Sequence, residues 1–170
     1  MVDELVTTIA ESTMREVIIG MLFNVPGLPP IIQSIHIVCV AIIVATVGFT
    51  HLRILGLAFA AQDISTMLKR STPYFYWTLL LAAISGLPLI IARPDRYFYN
   101  PIAQAKFMLL LGCLAVTTTL IWKNRKIVDY WTNTTGTLWA ARCLALLGLL
   151  GWIAIIFAGR WIAYVDYLYW

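Results

Sequence analysis

The sequence predicts an all-α integral membrane protein, a polytopic four-helix bundle preceded by an N-terminal interfacial helix. Of its 170 residues, 61% are hydrophobic and only 12% are charged, whereas a soluble domain carries roughly 45–50% apolar and about 25% charged residues. Four stretches are long and apolar enough to cross the roughly 30 Å hydrocarbon core of a bilayer. This composition excludes a disordered chain, a disulfide scaffold and most cytosolic enzyme folds.

Residues 1–30 are the first expected unit, an amphipathic segment that ends in a turn. Leu5, Ile9 and Ile18 alternate with acidic, hydroxyl-bearing and basic residues at roughly helical spacing. Such a pattern is typical of a helix lying on the membrane surface. The remaining residues, 31–170, are expected to form the bundle.

The four spans of the bundle follow from the apolar runs and from the prolines at their edges. We expect them at about 31–57, 74–91, 102–122 and 138–164. Pro73 and Pro101 mark edges, where a missing N–H costs least, and Pro88 is expected to kink the second span. Residues 62–70, between the first two spans, indicate a short interfacial helix with a basic end that anchors to lipid.

The distribution of charge predicts an orientation. The loops after the first and third spans, with the adjoining helix ends, hold seven bases and two acids; the opposite side holds five bases and six acids. The seven bases are Arg53, Lys69, Arg70, Lys123, Arg125, Lys126 and Arg142. The positive-inside rule places them in the cytoplasm. We therefore expect a multi-pass protein of a bacterial inner membrane with both termini in the periplasm, and no nucleic-acid partner despite the net charge of +4.

Ionisable groups within the spans are the first candidates for function, because burying them in lipid is costly. His36, Lys106 and Arg160 are expected at similar depth near the outer surface. The alternative is that the two cations extend to the lipid headgroups while His36 is a buried, hydrogen-bonded residue.

A pair of histidines on the first span suggests haem. His36 and His51 are fifteen residues apart, which corresponds to about 22 Å along a helix and about 60° around it. Membrane cytochromes that stack two b-type haems use histidine pairs at about this separation on one helix. Haem iron takes axial histidines, and Lys106 and Arg160 could pair with propionates. Each haem b normally needs two histidines, and a homodimer pairing each histidine with its mate would supply them. The alternative for His51 is a solvated residue at the helix end.

Two other functions remain open. His36 and Cys39 share a helix face, with Met108 expected at similar depth, and these ligand types suit copper(I). A non-catalytic accessory subunit of a larger membrane complex is the other alternative, suggested by the aromatic C-terminus with Tyr167, Tyr169 and Trp170. No nucleotide-binding loop, Ser/His/Asp set or carboxylate pair stands out, which favours an electron carrier or accessory subunit over a stand-alone catalyst.

The chain resembles an uncharacterised family of bacterial four-helix membrane proteins. The resemblance rests on Ser34-Ile35-His36, Gly48, Leu52-Arg53-Ile54-Leu55-Gly56, Arg96-Tyr97, Asn100-Pro101, Lys106 and Ala158-Gly159-Arg160-Trp161. That family is distantly similar to CopD-type copper-resistance proteins and to small b-type cytochromes, which implies the fold more than the activity.

Two departures from the family pattern concern the metal ligands. The family usually has an acid where this chain has His51, and often Asn and His where this chain has Thr118 and Trp122. Without that second histidine, a haem would need a ligand from another copy of the chain.

Overall fold

The structure is a computed structural model that describes residues 2–162 and 164. Over these residues the chain forms seven α-helices and no strand. They are α1 (Val2–Ala10), α2 (Thr13–Asn24), α3 (Leu28–Leu55), α4 (Ile64–Ala92), α5 (Pro94–Phe98), α6 (Pro101–Lys126) and α7 (Thr135–Trp161). Helices α3, α4, α6 and α7 are long and apolar enough to cross a membrane. The predicted all-α, four-helix membrane bundle is confirmed. Tyr167, Tyr169 and Trp170 lie outside the described residues.

Helix α4 is longer than the sequence suggested. Residues 64–70, expected as part of a separate interfacial helix, are its first two turns, and Pro73 lies inside it. The side chain of Asp63 caps the helix by accepting a hydrogen bond from the Thr66 amide at 2.7 Å. Pro73 is tolerated because the carbonyl it leaves unpaired, four residues earlier, lies near the end of the span, where water can reach it.

The four long helices form a ring. Helix α3 packs against α4 and α7, α6 packs against α7, and the α4–α6 edge has the least contact. Between 17% and 28% of each apolar span is buried inside the bundle. Most of each span therefore faces outward, as expected for helices surrounded by lipid. The buried core is small and contains residues such as Ile43, Ile54, Phe75, Leu120 and Trp152.

The N-terminal segment consists of two helices rather than one. Ser12 ends the gap between α1 and α2 and caps α2 by accepting a hydrogen bond from the Arg15 amide. Helix α1 packs on α5, and α2 packs on α4. The Tyr99 hydroxyl donates a 2.7 Å hydrogen bond to the Asp3 carboxylate, which raises the pKa of the Tyr99 phenol. The N-terminal segment is thus attached to the bundle by packing and by a hydrogen bond.

The bundle has one basic end, formed by the α3–α4 and α6–α7 connections. Asn124 at the end of α6 donates a 3.1 Å hydrogen bond to the Ser65 hydroxyl at the start of α4. In the second connection, the indole of Trp131 donates to the Leu120 carbonyl at 2.9 Å and is buried. The seven bases that the sequence assigned to one side of the membrane all belong to this end.

Candidate functional site

His36 on α3 makes its polar contacts with α4. Its Nδ1–H donates to the Ala82 carbonyl oxygen at 2.9 Å and approaches the Ser85 hydroxyl oxygen at 3.2 Å. The Ser85 hydroxyl donates its own hydrogen bond to the Leu81 carbonyl at 2.8 Å, so its oxygen can accept a hydrogen bond from His36. Because both partners of Nδ1 are acceptors, the ring proton is on Nδ1 and Nε2 carries a lone pair. A metal-binding histidine is commonly oriented in this way.

A glycine on α4 makes room for the His36 ring. A Cβ atom added at Gly86 would lie 2.9 Å from Cε1 and 3.2 Å from Nδ1 of His36, but 3.9 Å from Nε2. The ring therefore packs directly on the α4 backbone through its Cε1–Nδ1 edge. His36 is half-buried. Of the ring atoms within 4 Å of that Cβ position, Nε2 is the farthest.

Lys106 on α6 lies in the same part of the bundle as His36. The two are close enough to interact electrostatically. The Lys106 ammonium is 3.5 Å from the position that a Cβ would take at Gly159 of α7. Within the described residues no hydrogen bond or ion pair holds the Lys106 ammonium.

Arg160 has a different environment from Lys106. Its side chain is exposed and donates a 2.8 Å hydrogen bond to the Tyr164 hydroxyl, with the guanidinium 5.1 Å from the centroid of that ring. The structure brings Lys106 near His36, whereas the contacts of Arg160 among the described residues are with Tyr164.

His51 lies in the interior of the bundle and is only 1% exposed. The alternative of a solvated residue at the helix end is wrong, because α7 covers this turn of α3. A Cβ added at Gly148 of α7 would lie 2.7 Å from Cε1 and 2.8 Å from Nε2 of His51. Nδ1 is also buried, with no hydrogen-bond partner among the described residues. His36 and His51 thus contact different helices.

The surroundings of His51 are closely packed. Its Nε2 lies against the α7 backbone at Gly148, and the ring is buried within one protomer. The adjacent cavity has a volume of about 10 Å³ and is lined by Thr50, Ser71 and Thr117, among others. About 10–15 Å³ is the room that a single water molecule needs. The second haem expected at His51 stays a prediction.

Two of the copper ligands suggested by the sequence differ in exposure. Cys39 is buried at 5% exposure, whereas the Met108 side chain is 70% exposed. Among the described residues no group of three or more His, Cys, Asp or Glu side chains could hold a metal ion. A copper site would need ligands beyond His36 and Cys39.

Two residues that shape the site were not singled out from the sequence. They are Ala82 and Ser85, which contact His36. The Ser85-Gly86 pair within an apolar span was a usable signal, because a hydroxyl next to a small residue suits close contact with a polar side chain of another helix.

Comparisons with protein-family models, with curated proteins and with solved structures find no match to this chain. The resemblance to the four-helix family stays a prediction.

Proposed function

We propose that this membrane protein binds one b-type haem through Nε2 of His36 and carries electrons. The observation that supports this best is the pair of acceptors on Nδ1, the Ala82 carbonyl and the Ser85 hydroxyl. They fix the tautomer in which Nε2 is free to act as a ligand. A bound haem would supply reversible one-electron chemistry.

Lys106 has the charge and position to accompany such a ligand. Its ammonium is near His36 and has no anionic partner among the described residues. A half-buried cation at this depth is stabilised by a carboxylate, such as a haem propionate. Arg160 is the second candidate for a propionate or for an anionic redox partner, and it would have to leave the Tyr164 hydroxyl to reach either.

The second axial ligand is proposed to be His36 of another copy of the chain. One chain supplies a single imidazole at this depth, and a six-coordinate haem b takes two. His36 is half-buried, and its neighbours Ile35 and Ile37 are exposed apolar residues on α3. A homodimer with its two-fold axis beside α3 could bring both imidazoles to one iron.

The proposed orientation has the basic end in the cytoplasm and both termini in the periplasm of a bacterial inner membrane. The excess of seven bases over two acids supports it. In a Cys143→Ser background, a cysteine at Thr132 should react with a membrane-impermeant maleimide only after cells are lysed, whereas one at Glu11 should react in intact cells of a strain with a permeable outer membrane. The reverse pattern would overturn the orientation.

Replacement of His36 by glycine tests the ligand. Purified His36→Gly protein is expected to lose the Soret and α bands of the reduced haem, and added imidazole is expected to restore them. The rescue would separate loss of a ligand from loss of the fold, since free imidazole can occupy the vacated coordination position but cannot repair helix packing.

His51→Gln is the matched control for this measurement, with haem content expressed per folded chain. We expect it to keep the wild-type haem content, because His51 faces the α7 backbone. Full haem content in His36→Gly would refute the proposal. Wild-type protein without haem that co-purifies with a larger complex at fixed stoichiometry would instead favour the accessory-subunit alternative.

A further inference from the structure

A groove lies along the α4–α6 edge of the bundle, close to the basic end. It has a volume of about 260 Å³ and is lined by Tyr76 of α4 and by Thr118, Thr119, Ile121, Trp122 and Arg125 of α6. We call it the α4/α6 groove. It follows the edge of the helix ring where two neighbouring helices have the least contact.

The mouth of the α4/α6 groove is positively charged. Arg125 is exposed in the last turn of α6, with no hydrogen bond or ion pair among the described residues. The Lys126 ammonium lies 3.9 Å from the centroid of the Trp122 ring, so a second cation is held against the groove wall. Of the two acids at this end, Asp63 caps α4, and Asp129 does not line the groove. The mouth can therefore accept an anion.

The groove continues from this charged mouth into the apolar part of the span. Thr118 and Arg125 are seven residues apart on one helix, which corresponds to about 10 Å of depth. The Thr118 hydroxyl donates to the Leu114 carbonyl of its own helix at 2.6 Å. Its one donor is therefore already used, and the hydroxyl does not need a polar partner in the groove. A ligand that fills the groove must carry an anion at the membrane surface and an apolar body about 10 Å below it.

We propose that the α4/α6 groove binds one anionic phospholipid, with its phosphate at Arg125 and an acyl chain lying towards Thr118. Basic pockets between helices at the cytoplasmic surface suit such headgroups, and the fork of a guanidinium matches phosphate oxygens. No acidic side chain lines the groove to receive the ammonium of a zwitterionic lipid, which favours phosphatidylglycerol over phosphatidylcholine. A free phosphate would leave the apolar part of the groove unfilled.

Lipid binding to the full-length chain in nanodiscs tests the proposal. Spin-labelled phosphatidylglycerol and phosphatidylcholine are compared by the fraction immobilised on the protein. Wild type should prefer phosphatidylglycerol, and Arg125→Gln should lower that preference about fivefold, the effect of one lost basic contact at the membrane surface. Thr118→Phe, which fills the apolar part without changing charge, should lower it as well.

Arg70→Gln is the matched control, because Arg70 is an exposed base at the same end of the bundle that does not line the groove. It should retain the wild-type preference. An equal loss in Arg70→Gln and Arg125→Gln would show diffuse attraction and overturn the site. Competition by soluble glycerol phosphate at the same concentration as the lipid would also overturn it, because it would indicate a site for a free anion.

Discussion

Replacing His51 by alanine is expected to lower the free energy of unfolding by about 2–5 kcal/mol, the range for truncating a large buried side chain. The imidazole is 1% exposed and fills the space between α3, α6 and α7. This packing requires a glycine at position 148, because a Cβ there would lie 2.7 Å from His51 Cε1 and 3.3 Å from Val116 Cγ1. Unfolding in mixed micelles, followed by circular dichroism, measures the loss.

A double-mutant cycle distinguishes this packing role from a general weakening of the fold. Gly148→Ala should destabilise the wild-type protein, because its methyl group collides with the imidazole. In the His51→Ala background the same change should restore part of the lost stability, because the methyl group enters the vacated space. Two additive losses would contradict the contact between His51 and the α7 backbone.

Gly151→Ala is the second substitution with a large expected effect. A Cβ at Gly151 would lie 2.4 Å from Cys113 Sγ, a separation that requires the thiol or one of the two helices to move. Cys113 is buried at 5% exposure between α6 and α7, so overpacking is expected to cost about 1–3 kcal/mol. The same unfolding assay should show recovery when Cys113→Ala is added.

Gly112→Ala is the matched control for this prediction, because it lies on α6 next to Cys113 but has no other group within 4 Å of an added Cβ. It should leave stability unchanged or raise it by about 0.5–1 kcal/mol, since alanine is the better helix former. A similar loss in Gly112→Ala and Gly151→Ala would mean that the close α6–α7 contact at Cys113 is not what matters.

The four spans could be predicted from the sequence because the length and hydropathy of a membrane helix depend on the bilayer rather than on its neighbours. The start of α4 could not, because Pro73 is typical both of a helix edge and of a tolerated position near the end of a span. Asp63, which caps α4, was the signal for the longer helix. A capping residue acts only when its backbone adopts an extended geometry, which the sequence alone does not show.

The candidate site was only half predictable. His36 and Lys106 could be selected because charged and titratable groups are rare within spans. The contacts of His36 with Ser85 and Gly86, and of His51 with Gly148, depend on which faces of the helices meet. Spans that are apolar on all sides carry no periodic pattern to show this. The burial of His51 could not be predicted, because hydropathy gives distance from the membrane surface but not coverage by another helix.

The haem-to-chain ratio of the purified protein, with its reduced absorption spectrum, tests the central claim most directly. If two copies share one iron through their His36 imidazoles, the pyridine haemochrome assay should find one haem b for every two chains, with the α band of a six-coordinate haem. A preparation of folded protein without haem, or with one haem for each chain, would contradict it.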